Sequence, residues 1–310
     1  MDGVSPAGTP GAFRVTLTAT AGFLPYVAAA IASLREHNRS VPVTVFADEA
    51  SSALTRLADL LDVDVEVVPV GPDDLAGARP ADAESIRSRI VKITSMARAT
   101  TAQHLYLDSD TIVRADIGLM ATELGPDVDL YSLLNRPVAP TLWGDRRLYF
   151  TDPDIDRAGV LDLVHRTFGV RLPAAALDEM HCWNSGILLG SAPALRRIAD
   201  RWLRHYRAML PMAAAGVMIP RDQLGFWLTM WELRHDLRVE EMPVRWNFMA
   251  GHLVPVPVGT EHLDERAYRD AAILHLAQNK ADPWARHLVS GALERSGAAE
   301  VLTQAGISAR

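Results

Sequence analysis

Four short apolar runs, at 13–20, 43–47, 63–68 and 104–107, the first three rich in β-branched residues, are separated by segments with helical spacing. Between the first two, Leu24, Val27, Ile31 and Leu34 fall on one helical face, which predicts a helix over 24–37. Ser51 is a good N-cap for a second helix through 61. A third is predicted over 84–101. Strands alternating with helices build βαβ units, so the chain should fold as an α/β protein with a mainly parallel central sheet, right-handed crossovers and flanking helices. The run at 63–68 alternates apolar with acidic residues, as a strand near the sheet edge would. In open sheets of this kind ligands lie beyond the carboxyl ends of the strands. The end of the first strand, Thr18, Ala19 and Thr20, and the end of the fourth are therefore the expected floor of a site.

The fourth strand runs straight into two carboxylates, Leu107-Asp108-Ser109-Asp110. In an extended chain residues i and i+2 point to the same side, so Asp108 and Asp110 can face one point. Two hard oxygen ligands at one point suit Mg²⁺ or Mn²⁺ held together with a phosphate. The helix that feeds this strand carries Arg89 and Lys92, three residues apart and so on one face. Only two lysines occur in the chain, Lys92 and Lys280. A lysine retained in so arginine-rich a chain points to a position that wants a compact charge and not a planar fork.

A net charge of -7 gives no electrostatic footprint for nucleic acid, and an anionic substrate would have to be met by local cations or a metal. With a single cysteine, Cys182, no intramolecular disulfide can form, which fits a reducing compartment. Residues 1–12 are rich in Gly, Pro and Ser, lack the pattern of a signal peptide, and read as a disordered leader. No apolar run approaches the roughly 20 residues of a membrane span. The expected setting is cytoplasmic.

After Asp110 the pattern changes. A strand is predicted over 128–134, and Pro137 and Pro140 make 135–143 a loop. The acidic run 152–156 reads as a capped turn, and 172–179 is ambiguous. At 181–190, His-Cys-Trp-Asn-Ser-Gly gives way to an apolar strand. Pro193 opens a helix through 209, and another begins at Asp222-Gln223 with Leu224, Trp227, Leu228 and Trp231 at core spacing. Further strands are predicted over 240–246 and 272–276, then a helix with a loose tail over 288–310.

Taken in order, these motifs resemble one family. A lysine-bearing helix precedes a strand ending in Asp-x-Asp. Asn184-Ser185-Gly186 follows, then Asp222-Gln223 opening a helix, then a strand leading into His275, Lys280 and Pro283-Trp284. The sequence looks like a GT-A fold glycosyltransferase, closest to the glycogenin and bacterial lipopolysaccharide galactosyltransferase group, glycosyltransferase family 8. The resemblance covers about residues 13–284. It implies a single Rossmann-like GT-A domain over 13–285, with a nucleotide-binding half (13–120), an acceptor half (121–285) and a peripheral C-terminal segment (286–310).

The resemblance also implies roles. Asp108, Asp110 and His275 would hold Mn²⁺, or Mg²⁺, against the diphosphate of a nucleotide sugar. Lys92 and Lys280 would bind phosphate or donor sugar, with Arg89 assisting and Ser109 at the same turn. Asn184, Asp222 and Gln223 would line the sugar at the reaction centre. The family often has an acidic or Asn-Asp turn after the first strand. Here that turn is Thr20-Ala21-Gly22, so Phe23 or Tyr26 would stack on the base. Ala277-Gln278-Asn279 stand where a glycine turn is usual between the histidine and the lysine, with spacing one residue shorter. The region 135–179 matches nothing in the family, so the acceptor stays open. The implied reaction is transfer from a UDP-sugar with retention of configuration. An inverting reaction would need a base, Asp222 or Glu179. Two other classes fit the same carboxylates: a metal-dependent nucleotidyltransferase or phosphohydrolase, and a non-catalytic nucleotide-sugar-binding protein.

Overall fold

The structure, a computed structural model, describes residues 13–135, 141–144, 146, 149–249 and 265–308. The leader expected over 1–12 lies outside the described residues. Phe13–Ala19 (β1), Val43–Ala47 (β2), Asp64–Val67 (β3) and Gln103–Leu107 (β4) are the strands of the alternating half. They run parallel in the order β3-β2-β1-β4. Leu24–His37 (α1), Ser52–Leu61 (α2) and Ala83–Ala97 (α3) connect them. Ser51 caps α2 as expected, its hydroxyl accepting the Leu54 N–H at 3.1 Å. The inner strands are apolar on both sides because helices cover both faces. Leu105 and Leu107 of β4 join the core under α1 and α2, while Tyr106 between them joins the core under α3.

Next come Thr111–Val113 (β5), Gly118–Glu123 (α4), Leu130–Ser132 (β6), Arg157–Phe168 (α5), Ala176–Glu179 (α6) and Ile187–Gly190 (β7). Ala192–Ala214 (α7), Asp222–Leu233 (α8) and Val239–Glu241 (β8) follow. Glu265–Asp270 (α9), Ile273–His275 (β9), Pro283–Ser296 (α10) and Ala298–Gln304 (α11) complete the described chain. The sheet order is β3-β2-β1-β4-β7-β6-β8, with β7 antiparallel to both of its neighbours and the other strands sharing one direction. The mainly parallel sheet flanked by helices is therefore present.

Several elements depart from expectation. Asp108 and Asp110 lie in a turn between β4 and β5, not in an extended strand. Strand alternation is thus not what brings them together. The strand predicted over 240–246 stops at Glu241, because Pro243 removes a ladder donor and the chain turns through a 3-10 segment, Val244–Trp246. The acidic run at 152–156 ends in Asp156, whose Oδ1 accepts the Gly159 N–H at 2.6 Å and starts α5, a helix not expected from the sequence. The helix opened by Pro193 runs on to Ala214, with Pro211 inside it. The C-terminal segment is two helices, split at Gly297, which adopts φ +77. Val289, Leu293 and Leu302 of these helices share the core of α1.

β9 does not enter the main sheet. It pairs antiparallel with β5, with Thr111 opposite His275. That small sheet brings the chain's C-terminal third to the end of β4.

Candidate active site

The turn after β4 is fixed from three sides. Asp108 N–H donates to the Gly186 carbonyl at 2.7 Å, Thr111 Oγ1 donates to the Asp108 carbonyl at 2.9 Å, and Leu276 N–H donates to the Asp110 carbonyl at 2.8 Å. The register of β5 on β9 sets His275 beside the pair. Its Nε2 is 3.4 Å from Asp110 Oδ1 and 3.7 Å from Asp108 Oδ2. One ligand atom from each of Asp108, Asp110 and His275 lies within 4.8 Å of the other two. This close grouping depends on Gly186. A Cβ there would stand 2.2 Å from His275 Cε1 and 2.9 Å from Asp108 Oδ2.

Lys92 enters from α3. Its ammonium contacts Asp108 Oδ1 at 3.0 Å, Asp222 Oδ2 at 3.2 Å and Ser185 Oγ at 3.1 Å. Arg89, one turn earlier on the same face, is 3.5 Å from Asp222 Oδ1. Lys280 pairs with Asp110 Oδ2. Tyr106 donates its hydroxyl to Asp108 Oδ1 at 2.8 Å. Gln223 Nε2 donates to Ser185 Oγ at 3.1 Å, and its Oε1 is buried with no hydrogen-bond partner. Among the described residues that amide oxygen keeps its accepting capacity unspent.

The charges hold one another in place. Burial pushes the Asp108 carboxyl up, Asp110 and Asp222 add to the rise, and Lys92 and His275 offset only part of it. For Asp110 burial acts the same way, but His275 and Lys280 outweigh it and hold the carboxyl well below the usual carboxylate range. Burial also opposes ionisation of Asp222, and there Lys92 and Arg89 win and lower its pKa. Burial would discharge Lys92, yet Asp108 and Asp222 raise its pKa and keep it cationic. Burial sends the Tyr106 phenol far up, and Asp108 adds to this, so it stays a donor.

These groups line a cleft of about 160 Å³ bounded by Thr18, Phe23, Ser85, Ser88, Arg89, Lys92, Asp108, Ser109, Asp110, Asp222 and Lys280. Its carboxylates, Asp108, Asp110 and Asp222, face Arg89, Lys92 and Lys280, with His275 beside the first two, so the charge of the cleft is largely paired as built. A diphosphate brought into it would need a further divalent cation to restore the balance.

Most of the residues singled out from the sequence converge here. Thr18, Phe23, Arg89, Lys92, Asp108, Ser109, Asp110, Asp222 and Lys280 line the cleft itself. Asn184, Gln223 and His275 form the layer against it, through Ser185, Gly186 and the carboxylates. Ala19 and Thr20 are set off in a smaller slot with Asp48, Glu49 and Ser51. Thr20 Oγ1 is buried there with no hydrogen-bond partner. Tyr26 does not line the cleft. Its ring packs 6.4 Å from that of Phe23. Ala277, standing where the family resemblance places a glycine turn, takes φ 44, the left-handed conformation glycine favours.

Four further contributors lie outside the residues singled out from the sequence. Ser85 and Ser88 were legible, since they share the helical face of Arg89 and Lys92. Tyr106 and Asn247 carried no local signal. Asn247 Nδ2 donates to Asn184 Oδ1 at 3.0 Å, and Asn247 Oδ1 lies 3.1 Å from His275 Nδ1.

No protein-family profile and no curated protein sequence matches the chain. Solved structures do. The galactosyltransferase LgtC, crystallised with donor and acceptor sugar analogues, superposes with a TM-score of 0.54 at 19% identity, over 90% of this chain and 95% of that one. An active-site mutant of LgtC gives 0.55 at the same identity. The bifunctional glycosyltransferase WbbM gives 0.52 at 14% identity, over 93% of this chain and 52% of WbbM. At these identities the likeness is one of fold. The chain has the GT-A fold and resembles the LgtC group of glycosyltransferases.

Proposed function

We propose that the protein is a metal-dependent glycosyltransferase that moves a sugar from a nucleoside-diphosphate sugar, UDP by default, to an acceptor with retention of configuration. The observation that carries this reading is the grouping of Asp108, Asp110 and His275, with the two carboxylates lining the cleft and the imidazole just behind them. Two carboxylates and an imidazole, with open positions for phosphate oxygens, suit Mn²⁺ or Mg²⁺. When bound, such an ion supplies positive charge where the departing diphosphate gains negative charge.

The chain's own residues do the rest. Lys280, partly exposed, is a point charge that can turn from Asp110 to phosphate, while Lys92, buried between Asp108, Asp222 and Ser185, offers its charge to the donor from a fixed place. Arg89 and Asp222 hold each other at the donor-sugar side, where Gln223 Oε1 has its hydrogen-bonding capacity to spare. Thr20 and Asp48, the latter with its carboxyl raised by burial, stand at the strand ends where the base would rest. In this assignment 13–120 is the donor half and 121–285 the acceptor half.

Retention is supported by the two candidate bases among the described residues, neither of which is placed to take a proton. Asp222 is held ionised by Lys92 and Arg89 and is a poor proton acceptor. Glu179 is exposed on α6 and does not line the cleft. In a front-face reaction the bond from the anomeric carbon to the phosphate oxygen breaks. The acceptor oxygen bonds to the same face, and its proton passes to the leaving phosphate. No protein base is then required. Asp110→Asn should abolish UDP release in a Mn²⁺-supplemented coupled assay, and unchanged turnover would remove the metal site from the mechanism. Proton NMR of the first product should show the donor's anomeric configuration; the opposite anomer would exclude retention. The single cysteine is compatible with the cytoplasmic setting we assign.

A further inference from the structure

Asn247 is fully buried, just past the 3-10 turn Val244–Trp246, and it touches two residues of the site from behind. Its orientation follows from a backbone group. Gly186 N–H donates to Asn184 Oδ1 at 2.9 Å. A peptide N–H only donates, so the amide atom facing it is oxygen. That oxygen has no proton to give, so Asn247 presents its NH₂ to it, at 3.0 Å. The carbonyl oxygen of Asn247 is then the atom 3.1 Å from His275 Nδ1. An amide oxygen only accepts, so Nδ1 carries a proton. The nitrogen left to bind a cation is Nε2, the one facing Asp108 and Asp110 at 3.7 Å and 3.4 Å.

We infer that Asn247 is a positioning residue which fixes the protonation and ring orientation of His275, so that Nε2 is always the nitrogen offered to the metal. This rests on the metal site proposed above. Histidine ligands characteristically donate their second ring N–H to an acceptor that sets the tautomer. Here that acceptor is an amide, itself set by a peptide N–H two residues away along the chain from Asn184.

The relay has a second consequence. Asn184 Oδ1 already accepts from both Gly186 and Asn247, so its carbonyl oxygen is spent. Among the described residues its NH₂ makes a long contact to Asn135 Oδ1 at 3.3 Å and one to Met249 Sδ at 3.5 Å. Toward a donor sugar Asn184 can therefore only donate. It can hold a hydroxyl or phosphate oxygen, and it offers no carbonyl to positive charge at the anomeric carbon.

The test uses the full chain. Nitrogen–proton correlation of the ¹⁵N-labelled histidine rings, with His275 assigned by difference against His275→Gln, should show Nδ1 protonated in the metal-free protein. A bare Nδ1 with a protonated Nε2 overturns the inference whatever the variants do. In Asn247→Leu, Mn²⁺ affinity measured by EPR titration should fall roughly 10- to 100-fold, and His275 Nδ1 should lose its hydrogen-bonded proton signal. A folded Asn247→Leu that binds Mn²⁺ as tightly as wild type overturns it too. If wild type itself binds no Mn²⁺, the metal site fails, and the ring spectrum still decides the orientation of His275.

Discussion

Gly186 shows most directly how single residues set this site. The Asn-Ser-Gly run predicts close backbone approach, and the structure gives that approach a specific object: His275 and Asp108 pack where a side chain would be. The Gly186 carbonyl also holds the Asp108 N–H, so the same peptide both spaces and pins the carboxylate. Gly186→Ala should therefore push His275 and Asp108, the proposed metal ligands, apart without dismantling the core beneath them. The expected result is a fall of about tenfold or more in Mn²⁺ affinity, with a cooperative melt retained. A variant that binds Mn²⁺ like wild type would show that the ligands have slack. Residue types made much of the site legible. Acidic pairs, rare lysines and a strand-end histidine are unusual enough to notice singly. Asn247 is not, because its role lies in contacts across 63 and 28 residues that leave no local periodicity.

At the scale of elements, periodicity served well where burial is two-faced and poorly where an element is short. β1, β2, β4 and α1 fall within a few residues of their predicted bounds. The strand predicted over 272–276 is present as β9, but its pairing with β5 and the turn at 108–110 were not legible, since a three-residue strand such as β5 carries too few positions to show a pattern. The pairing of β1 with β4 adds a testable property. His104 Nε2 lies 2.7 Å from Thr16 Oγ1 across that pair, and the ring is buried with Nδ1 unpartnered. Burial, helped by Arg14, lowers its pKa from 6.5 to about 4. The unfolded chain then takes up this proton near pH 6.5 and the folded chain only near 4. The stabilising contribution is full above 6.5 and is lost as pH falls toward 4. A depression of that size corresponds to roughly 3 kcal/mol at most. Urea melts across this window should show wild type losing stability relative to His104→Leu. Parallel curves for the two proteins would mean that the ring is solvated in the fold.

For the molecule as a whole, the site joins distant parts of one chain. Asp108 and Asp110 end the alternating half, while His275 and Lys280 arrive on the segment that precedes α10. The small β5–β9 sheet is the covalently remote, hydrogen-bonded link between them. As built, each lysine neutralises a carboxylate, and a diphosphate alone would enter a cleft with no net attraction to offer it. A divalent cation alone would displace Lys280 from Asp110 and leave its ammonium unpaired. Together the two ligands would largely offset each other, with the ion at the carboxylates and the phosphates facing the lysines. Binding of Mn²⁺ and UDP should therefore be strongly cooperative, each tightening the other by the same factor. Mn²⁺ plus UDP at about 100 times Kd would stabilise the fold by roughly 2.7 kcal/mol, a shift of about 5 °C for a chain of this size. Either ligand alone should shift the melt by much less, and EDTA should reverse the joint effect. A full shift with UDP and EDTA would mean that the lysines hold the diphosphate unaided, and that the carboxylates serve the sugar and not a metal.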